Sequence, residues 1–219
     1  MEHELQGNPD YGHLRLTLAP GEAAIVEAGS MSHMSGDLDL KTTLMGGFLP
    51  AVARKFLGGE SFFLGRYSGP NGGTLGVSPR LPGMVAHRRL EGGGLRLTGG
   101  SFLACTDGIR LKTRFGGLRS IFSGEGAFVI DAEGTGDLFY NAYGAIHEED
   151  LDGELIVDTG HVVAWEKSLD YRIRGMGGLK QTLFSGEGLV MEFSGRGKLW
   201  LQTRTTPGTA SWLTSFLRV

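Results

Sequence analysis

The stretch GHVVAWEKSLDYRIRGMGG, from Gly160 to Gly178, is the clearest copy of a pattern that occurs three times in this chain. The second copy is GSFLACTDGIRLKTRFGG, from Gly100 to Gly117, and the third is GSMSHMSGDLDLKTTLMGG, from Gly29 to Gly47. Each copy begins with Gly, carries apolar residues at matching offsets and ends in a Gly pair. The recurrence predicts an architecture of repeated units and indicates no reaction.

A second pattern also occurs three times, beginning at Gly59, Gly124 and Gly186. Each copy reads as Gly and Glu, an apolar run, a Gly-rich turn and a second apolar run, which is typical of a β-hairpin. The turns are predicted at Gly69, Gly134 and Gly195, since a tight hairpin turn often needs positive φ.

The order of the two patterns predicts how the repeats are arranged. Residues 58–118 and 123–180 are each complete, whereas residues 13–48 and 183–205 are the two parts of a unit split between the chain ends. Pairing of those parts would close the chain into a ring of three and remove open sheet edges. We therefore predict an all-β fold: residues 1–219 form a single domain of three tandem β-sandwich or β-hairpin repeats in a pseudo-threefold arrangement.

Two short helices interrupt this β pattern. Residues 51–57 are predicted to form an insertion helix, with Pro50 suited to its first turn, and its role is either to bind a partner or to cover a sheet edge. Residues 209–219 are predicted to form an amphipathic C-terminal helix, with Trp212, Leu213, Phe216 and Leu217 on one stripe. We expect this stripe to pack on the sandwich, with a peripheral membrane or partner contact as the alternative.

Composition restricts the function classes. The formal net charge is -3, which provides no large positive field for a nucleic acid. The densest basic patch, His87, Arg88 and Arg89, is too small for a strong nucleic-acid signal. The single Cys105 cannot form an internal disulfide and is expected in the core. The sequence has no secretory signal pattern and no apolar run of bilayer length, so we expect a cytoplasmic protein with no transmembrane segment.

Five residues are candidate metal ligands. Asp158, His161 and Glu166 lie on one short stretch, but strand alternation would separate His161 from Glu166. His147 and Glu148 begin an acidic run that is predicted to be an exposed loop, without the spacing of a calcium site. Ordinary structural roles are favoured for all five, so we expect no cofactor and no catalytic residue.

Four segments carry a resemblance to a known family: GGSFLACTDGI, FSGEGAFVIDAEGTGDLFYNAYGAI, GELIVDTGHVVAWEKSLDYRI and FSGEGLVMEFSGRGKLWLQTR. With VDTGHVVAWE at residues 157–166 and LWLQTR at 199–204, the chain resembles the altered inheritance of mitochondria protein 24 family. The resemblance implies a β-sandwich similar to the tryptophan RNA-binding attenuator protein, with the tandem units fused in one chain. It implies no catalytic residue.

Three functional hypotheses follow. The first is a non-enzymatic structural or interaction protein with a protein partner or self-association. The second, by fold analogy, is a small-ligand or RNA-binding module. The third is a metal-dependent enzyme that uses Asp158, His161 or Glu166. We expect the first, and therefore no enzyme.

Overall fold

The computed structural model of the chain describes residues 1–44, 63–115, 128–175 and 189–217. Almost all of these residues lie in strands or in short turns between strands. The strands are β1 Glu2–Gln6, β2 His13–Leu18, β3 Ala23–Glu27, β4 Met31–Met34, β5 Asp39–Leu44, β6 Phe63–Ser68, β7 Gly73–Val77, β8 Val85–Thr98, β9 Phe102–Thr106, β10 Ile109–Phe115, β11 Phe128–Asn141, β12 Ile146–Asp158, β13 Val162–Glu166, β14 Asp170–Gly175 and β15 Leu189–Gln202. The helices are 3-10 turns at Gly99–Ser101 and Thr159–His161 and the α-helix α1 at Thr206–Thr214.

Alternation of apolar and polar residues produces these strands. In β2, Leu14, Leu16 and Leu18 are buried while Arg15 and Thr17 are exposed, because successive side chains of a strand point to opposite faces. The predicted all-β fold in a single domain is confirmed.

The strands form three groups that are contiguous in sequence. Group 1 is β2–β7, group 2 is β8–β11 and group 3 is β12–β15. The longest pairings lie within a group, β8 with β11 and β12 with β15, and all strand pairs are antiparallel among the described residues. Neighbouring groups are joined where β9 pairs with β3 and where β13 pairs with β8.

The predicted split unit does not agree with this pairing. Residues 183–205 were expected to complete residues 13–48, but β15 pairs with β12, β13 and β14, while β2 and β3 pair with β7 and β6. Each long strand pairs within its own stretch of chain, which closes a much shorter segment than joining the two chain ends would and so costs less loop-closure entropy. The pseudo-threefold ring stays a prediction.

The predicted turns at Gly134 and Gly195 are wrong, because β11 and β15 run through both positions as continuous strands. Gly69 does lie at a turn, between β6 and β7. At Gly134 the register of β11 on β8 shifts, φ is +130°, and an added Cβ would lie 2.3 Å from the carbonyl oxygen of Gly108. Glycine is needed there for close backbone approach within a strand rather than for a hairpin turn.

The core consists of three apolar clusters, one for each group. Each cluster also takes side chains from a neighbouring group: Phe139 of group 2 packs in the cluster of group 1, and Val129 of group 2 packs with Trp165 and Phe193 of group 3. Cys105 is fully buried in the central cluster, as expected. The clusters therefore bind the groups together as well as filling them.

The C-terminal helix α1 begins three residues earlier than predicted. Thr205 caps it by accepting a hydrogen bond from the Gly208 amide, and Pro207 lies in its first turn. Trp212, Leu213, Phe216 and Leu217 are between 49% and 68% exposed, so the expected packing of this stripe on the sandwich is not found. No helix within the described ranges is long and apolar enough to cross a bilayer. The predicted insertion helix at residues 51–57 lies outside the described residues.

We predict that Gly134→Ala destabilises the protein more than Gly153→Ala. The two glycines have nearly equal φ, +130° and +132°, but an added Cβ at Gly153 meets nothing within 4 Å. Chemical denaturation should show a loss of about 2–4 kcal/mol in the free energy of unfolding for Gly134→Ala and about 1 kcal/mol for Gly153→Ala. Equal losses would contradict the close approach to Gly108.

We also predict that Cys105 is unreactive in the folded protein. Burial raises the pKa of the Cys105 thiol well above its usual range, and Asp107 adds to the shift, so the reactive thiolate is suppressed. A thiol reagent at pH 8 should label the chain only after denaturant is added. Rapid and complete labelling in native buffer would show that this position is open.

Candidate functional site

Asp158 and His161 lie at the end of β12, where they hold a tight turn. The Asp158 carboxylate accepts a hydrogen bond of 2.7 Å from the Gly160 amide and so caps the 3-10 turn. His161 Nδ1 donates to the carbonyl oxygen of Gln202 at 2.6 Å, and the Gln202 side chain donates to the Gly160 carbonyl at 2.7 Å. Both candidates are thus used in fixing the turn to β15. They line a shallow open depression of about 440 Å³ beside Ile156.

Glu166 lies apart from this turn, at the junction between groups 2 and 3. It accepts hydrogen bonds from Arg88 Nη2 at 2.7 Å and from the Lys198 amide at 3.2 Å. The structure therefore does not bring Asp158, His161 and Glu166 together as a metal site, as strand alternation predicted for His161 and Glu166.

His147 and Glu148 were predicted in an exposed loop, but both belong to β12. His147 bonds Glu149 at 2.7 Å. Glu148 bonds Lys198 and also accepts from Trp200 Nε1 at 2.8 Å. These bonds, the one from Lys198 above all, hold the pKa of Glu148 below its usual value. The error arose because a run of consecutive acidic residues on an exposed strand looks like a solvated loop.

The predicted basic patch is neutralised by neighbouring carboxylates. His87 Nε2 lies 2.9 Å from Asp137, Arg89 donates to the other Asp137 oxygen at 2.9 Å, and Arg88 bonds Glu166. The Arg88 guanidinium also lies 4.8 Å from the centre of the Trp200 ring. Partners on adjacent strands thus occupy these cationic groups.

A cluster that the sequence did not reveal is formed by His3, His87 and Asp137. It brings together β1, β8 and β11, and its ligand atoms all lie within 4.8 Å of one another. The two imidazole rings are 4.1 Å apart, and both lie 5.0 Å from the ring of Phe139. Burial, and then the neighbouring His87, lower the pKa of His3 below 6.5, which favours the neutral, metal-ligating form. No spacing rule could find this cluster, because His3 lies on β1 of the four-stranded sheet and meets the paired strands β8 and β11 of the other sheet only by packing.

The arrangement has the donor set of a transition-metal site. Two imidazole nitrogens and one carboxylate oxygen suit Zn²⁺ and similar ions, and three protein ligands leave a coordination position open. Arg89 holds the second oxygen of Asp137 and would orient the first, as outer-shell partners of ligating carboxylates do. Within the described ranges this is the group of three such side chains that could hold a metal ion.

Comparison with known proteins agrees with the sequence segments noted above. The family model described as mitochondrial biogenesis AIM24 matches residues 3–204. An uncharacterized protein of Streptococcus pyogenes serotype M6 is 30% identical over 213 residues, which cover 93% of this chain and 86% of that protein. The crystal structure of a Streptococcus pyogenes protein has a TM-score of 0.84 at 29% identity and covers 99% of both chains. On this whole-length agreement in sequence and fold, the chain belongs to the mitochondrial biogenesis AIM24 family.

Proposed function

We propose that this protein is a non-enzymatic structural protein that assembles with copies of itself. The observation that carries the proposal is a pair of edge strands, β4 at one end of the four-stranded sheet and β12 at one end of the eleven-stranded sheet. Within the described residues, β4 pairs only with β7 and β12 only with β15, so each has one side without a strand partner. An open strand edge is a template for pairing with another chain.

Exposed apolar side chains on these two strands support the same conclusion. Met31 and Met34 on β4 and Ile156 on β12 are more than one third exposed. A monomer gains nothing by exposing large apolar groups beside unpaired backbone, whereas an interface buries both at once.

The bonding of the candidate acid–base residues supports a structural role over a catalytic one. Asp158 caps a turn, His161 fixes that turn to β15, and Glu166 joins two strand groups. The second hypothesis, a ligand-binding or RNA-binding module, rests on fold analogy, which is weak evidence for function. The bonds of Arg88 and Arg89 to carboxylates give RNA little free positive charge.

A second candidate function is metal-ion binding at His3, His87 and Asp137, favoured by the convergence of their ligand atoms. We propose that a divalent transition ion such as Zn²⁺ would replace the hydrogen bond between His87 and Asp137 and would recruit His3. This site differs from the Asp158, His161 and Glu166 set expected from the sequence.

The proposal of self-assembly predicts a concentration-dependent mass. Native mass spectrometry and light scattering of the purified full chain should show species larger than one chain at micromolar concentration, with dissociation on dilution. A single monomeric species across the whole concentration range would rule out self-assembly as the function.

The metal proposal predicts binding of one Zn²⁺ per chain by the untagged protein in isothermal titration calorimetry. Asp137→Asn and His87→Ala should each weaken binding by at least about tenfold, because each removes a direct ligand. The matched control is His147→Ala, which removes an exposed histidine paired with Glu149 and should leave the affinity unchanged. Equal affinity in all the variants would contradict the site.

A further inference from the structure

Two junctions inside the chain show how one strand group joins the next. Residues Ala24, Ile25 and Val26 of β3 pair with Thr106, Cys105 and Ala104 of β9. Leu95, Arg96 and Leu97 of β8 pair in the same antiparallel register with Glu166, Trp165 and Ala164 of β13. At the middle of each junction, Ile25 faces Cys105 and Arg96 faces Trp165. Cys105 and Trp165 are both 0% exposed, so a formed junction buries this position completely.

The first strand of each junction has an equivalent in group 3. The last residue of β3, β8 and β12 marks the same place in each group. The pairs at this place are Glu27 with Leu64 in group 1, Thr98 with Val129 in group 2 and Asp158 with Val190 in group 3. The three residues before Asp158 are Leu155, Ile156 and Val157. They therefore occupy on β12 the places that form the junctions on β3 and β8.

The second strand of each junction has an equivalent in group 1. The pairing of β4 with β7 is equivalent to the pairing of β9 with β11 and of β13 with β15. All three pairings contain a register shift at the matching place. Cys105 faces Leu138, Trp165 faces Leu199 and Met34 faces Leu75. Met34 thus holds the place of Cys105 and Trp165.

The number of strands leads to the same pairing. Two overlapping runs of six paired strands cross a junction in the eleven-stranded sheet, in the orders β5-β6-β3-β9-β11-β8 and β10-β11-β8-β13-β15-β12. The edge strands β12 and β4 end two incomplete runs, β14-β15-β12 and β4-β7-β2, the latter extended by β1. Joining β12 to β4 would make a third run of the same six-strand kind.

The side chains at these two edges are exposed as an unformed junction requires. Ile156 is 53% exposed and Met34 is 39% exposed, whereas Ile25 in the equivalent position packs against the core cluster of the next group. Within the described residues neither edge has a covering strand in its own chain, and a second copy offers the matching edge.

The β12 edge is acidic, and the β4 edge is not. Asp152, Glu154 and Asp158 accompany Ile156 on β12. The β4 edge carries His33, whose ring stacks 5.7 Å from that of His13, and Arg15 and His33 both lie opposite Gly76 of β7. Acidic residues on both strands would oppose pairing of β12 with a second β12, whereas β4, Met31–Met34, carries none.

We propose that β12 of one copy pairs antiparallel with β4 of the next copy, with Val157 opposite His33, Ile156 opposite Met34 and Leu155 opposite Ser35. The inference rests on the proposed self-assembly and specifies its interface. The contact is heterologous, since each copy uses two different edges, and repetition gives a ring or an open filament.

Mixing two single variants, Met34→Cys and Ile156→Cys, tests the pairing directly. Directly opposed residues on antiparallel strands lie at a distance that a disulfide can span, so mild oxidation of the mixture should give a covalent dimer. Ile156→Cys mixed with Leu81→Cys, an exposed position outside β4 and β12, is the matched control and should give none. The native Cys105 is buried and should not interfere.

The charge variant Ile156→Lys provides a second measurement that does not depend on cross-linking. A lysine on an open edge opposes strand addition and should raise the dissociation constant of the assembly by at least about tenfold. Leu81→Lys should leave that constant unchanged. Circular dichroism and the melting temperature establish that both variants are folded.

The possible failures can be told apart. Monomers in native mass spectrometry would refute the proposed self-assembly itself. Oligomers that show no dimer in the Met34→Cys and Ile156→Cys mixture, and that persist in Ile156→Lys, would leave self-assembly standing and overturn this interface. A disulfide formed only within single chains of the double variant Met34→Cys/Ile156→Cys would overturn it as well, because the two edges would then meet in one molecule.

Discussion

Main-chain pairing between neighbouring strand groups is the constraint on which the rest of the structure depends. The second strand of each following group, β9 or β13, extends the sheet of the group before it by pairing with β3 or β8. The same strands carry Cys105 and Trp165 into the core. If these short pairings were lost, the long strands β8 and β11 would keep their internal partners, but the three apolar clusters would separate. Cooperativity of the whole domain therefore depends on a few backbone hydrogen bonds at each junction.

Much of the fold was accessible from sequence, because strand alternation and recurring offsets are local signals. Leu14, Leu16 and Leu18 show this, since their period predicts a half-buried strand without knowledge of its partner. Pairing was harder. The glycines at 134 and 195 look like turns, yet they lie inside continuous strands, because a glycine needed for close backbone approach resembles a glycine needed for a turn. The grouping of strands failed for a similar reason: the sequence shows what repeats but not where one unit ends.

The candidate metal ligands show the same difference between local patterns, which the sequence reveals, and contacts between distant strands, which it does not. The sequence could show that Asp158, His161 and Glu166 have the right atoms for a metal, and strand alternation already argued that His161 and Glu166 would be separated. It could not show that His3 lies beside His87 and Asp137, because that contact depends on how β1 packs against β8 and β11 of the other sheet. A site formed within one strand can be predicted from the sequence, whereas a site formed by several strands depends on the three-dimensional structure.

The middle positions of the two junctions contain very different pairs of residues. A small thiol faces isoleucine in one, and a large indole faces arginine in the other. Since backbone atoms make the joint, the side chains need only fill the volume between the two strands. Such a joint can accept substitution at one position when its facing residue compensates in size. During evolution, substitutions at these positions would then occur in compensating pairs on the two facing strands, and the strand pairing itself would not change.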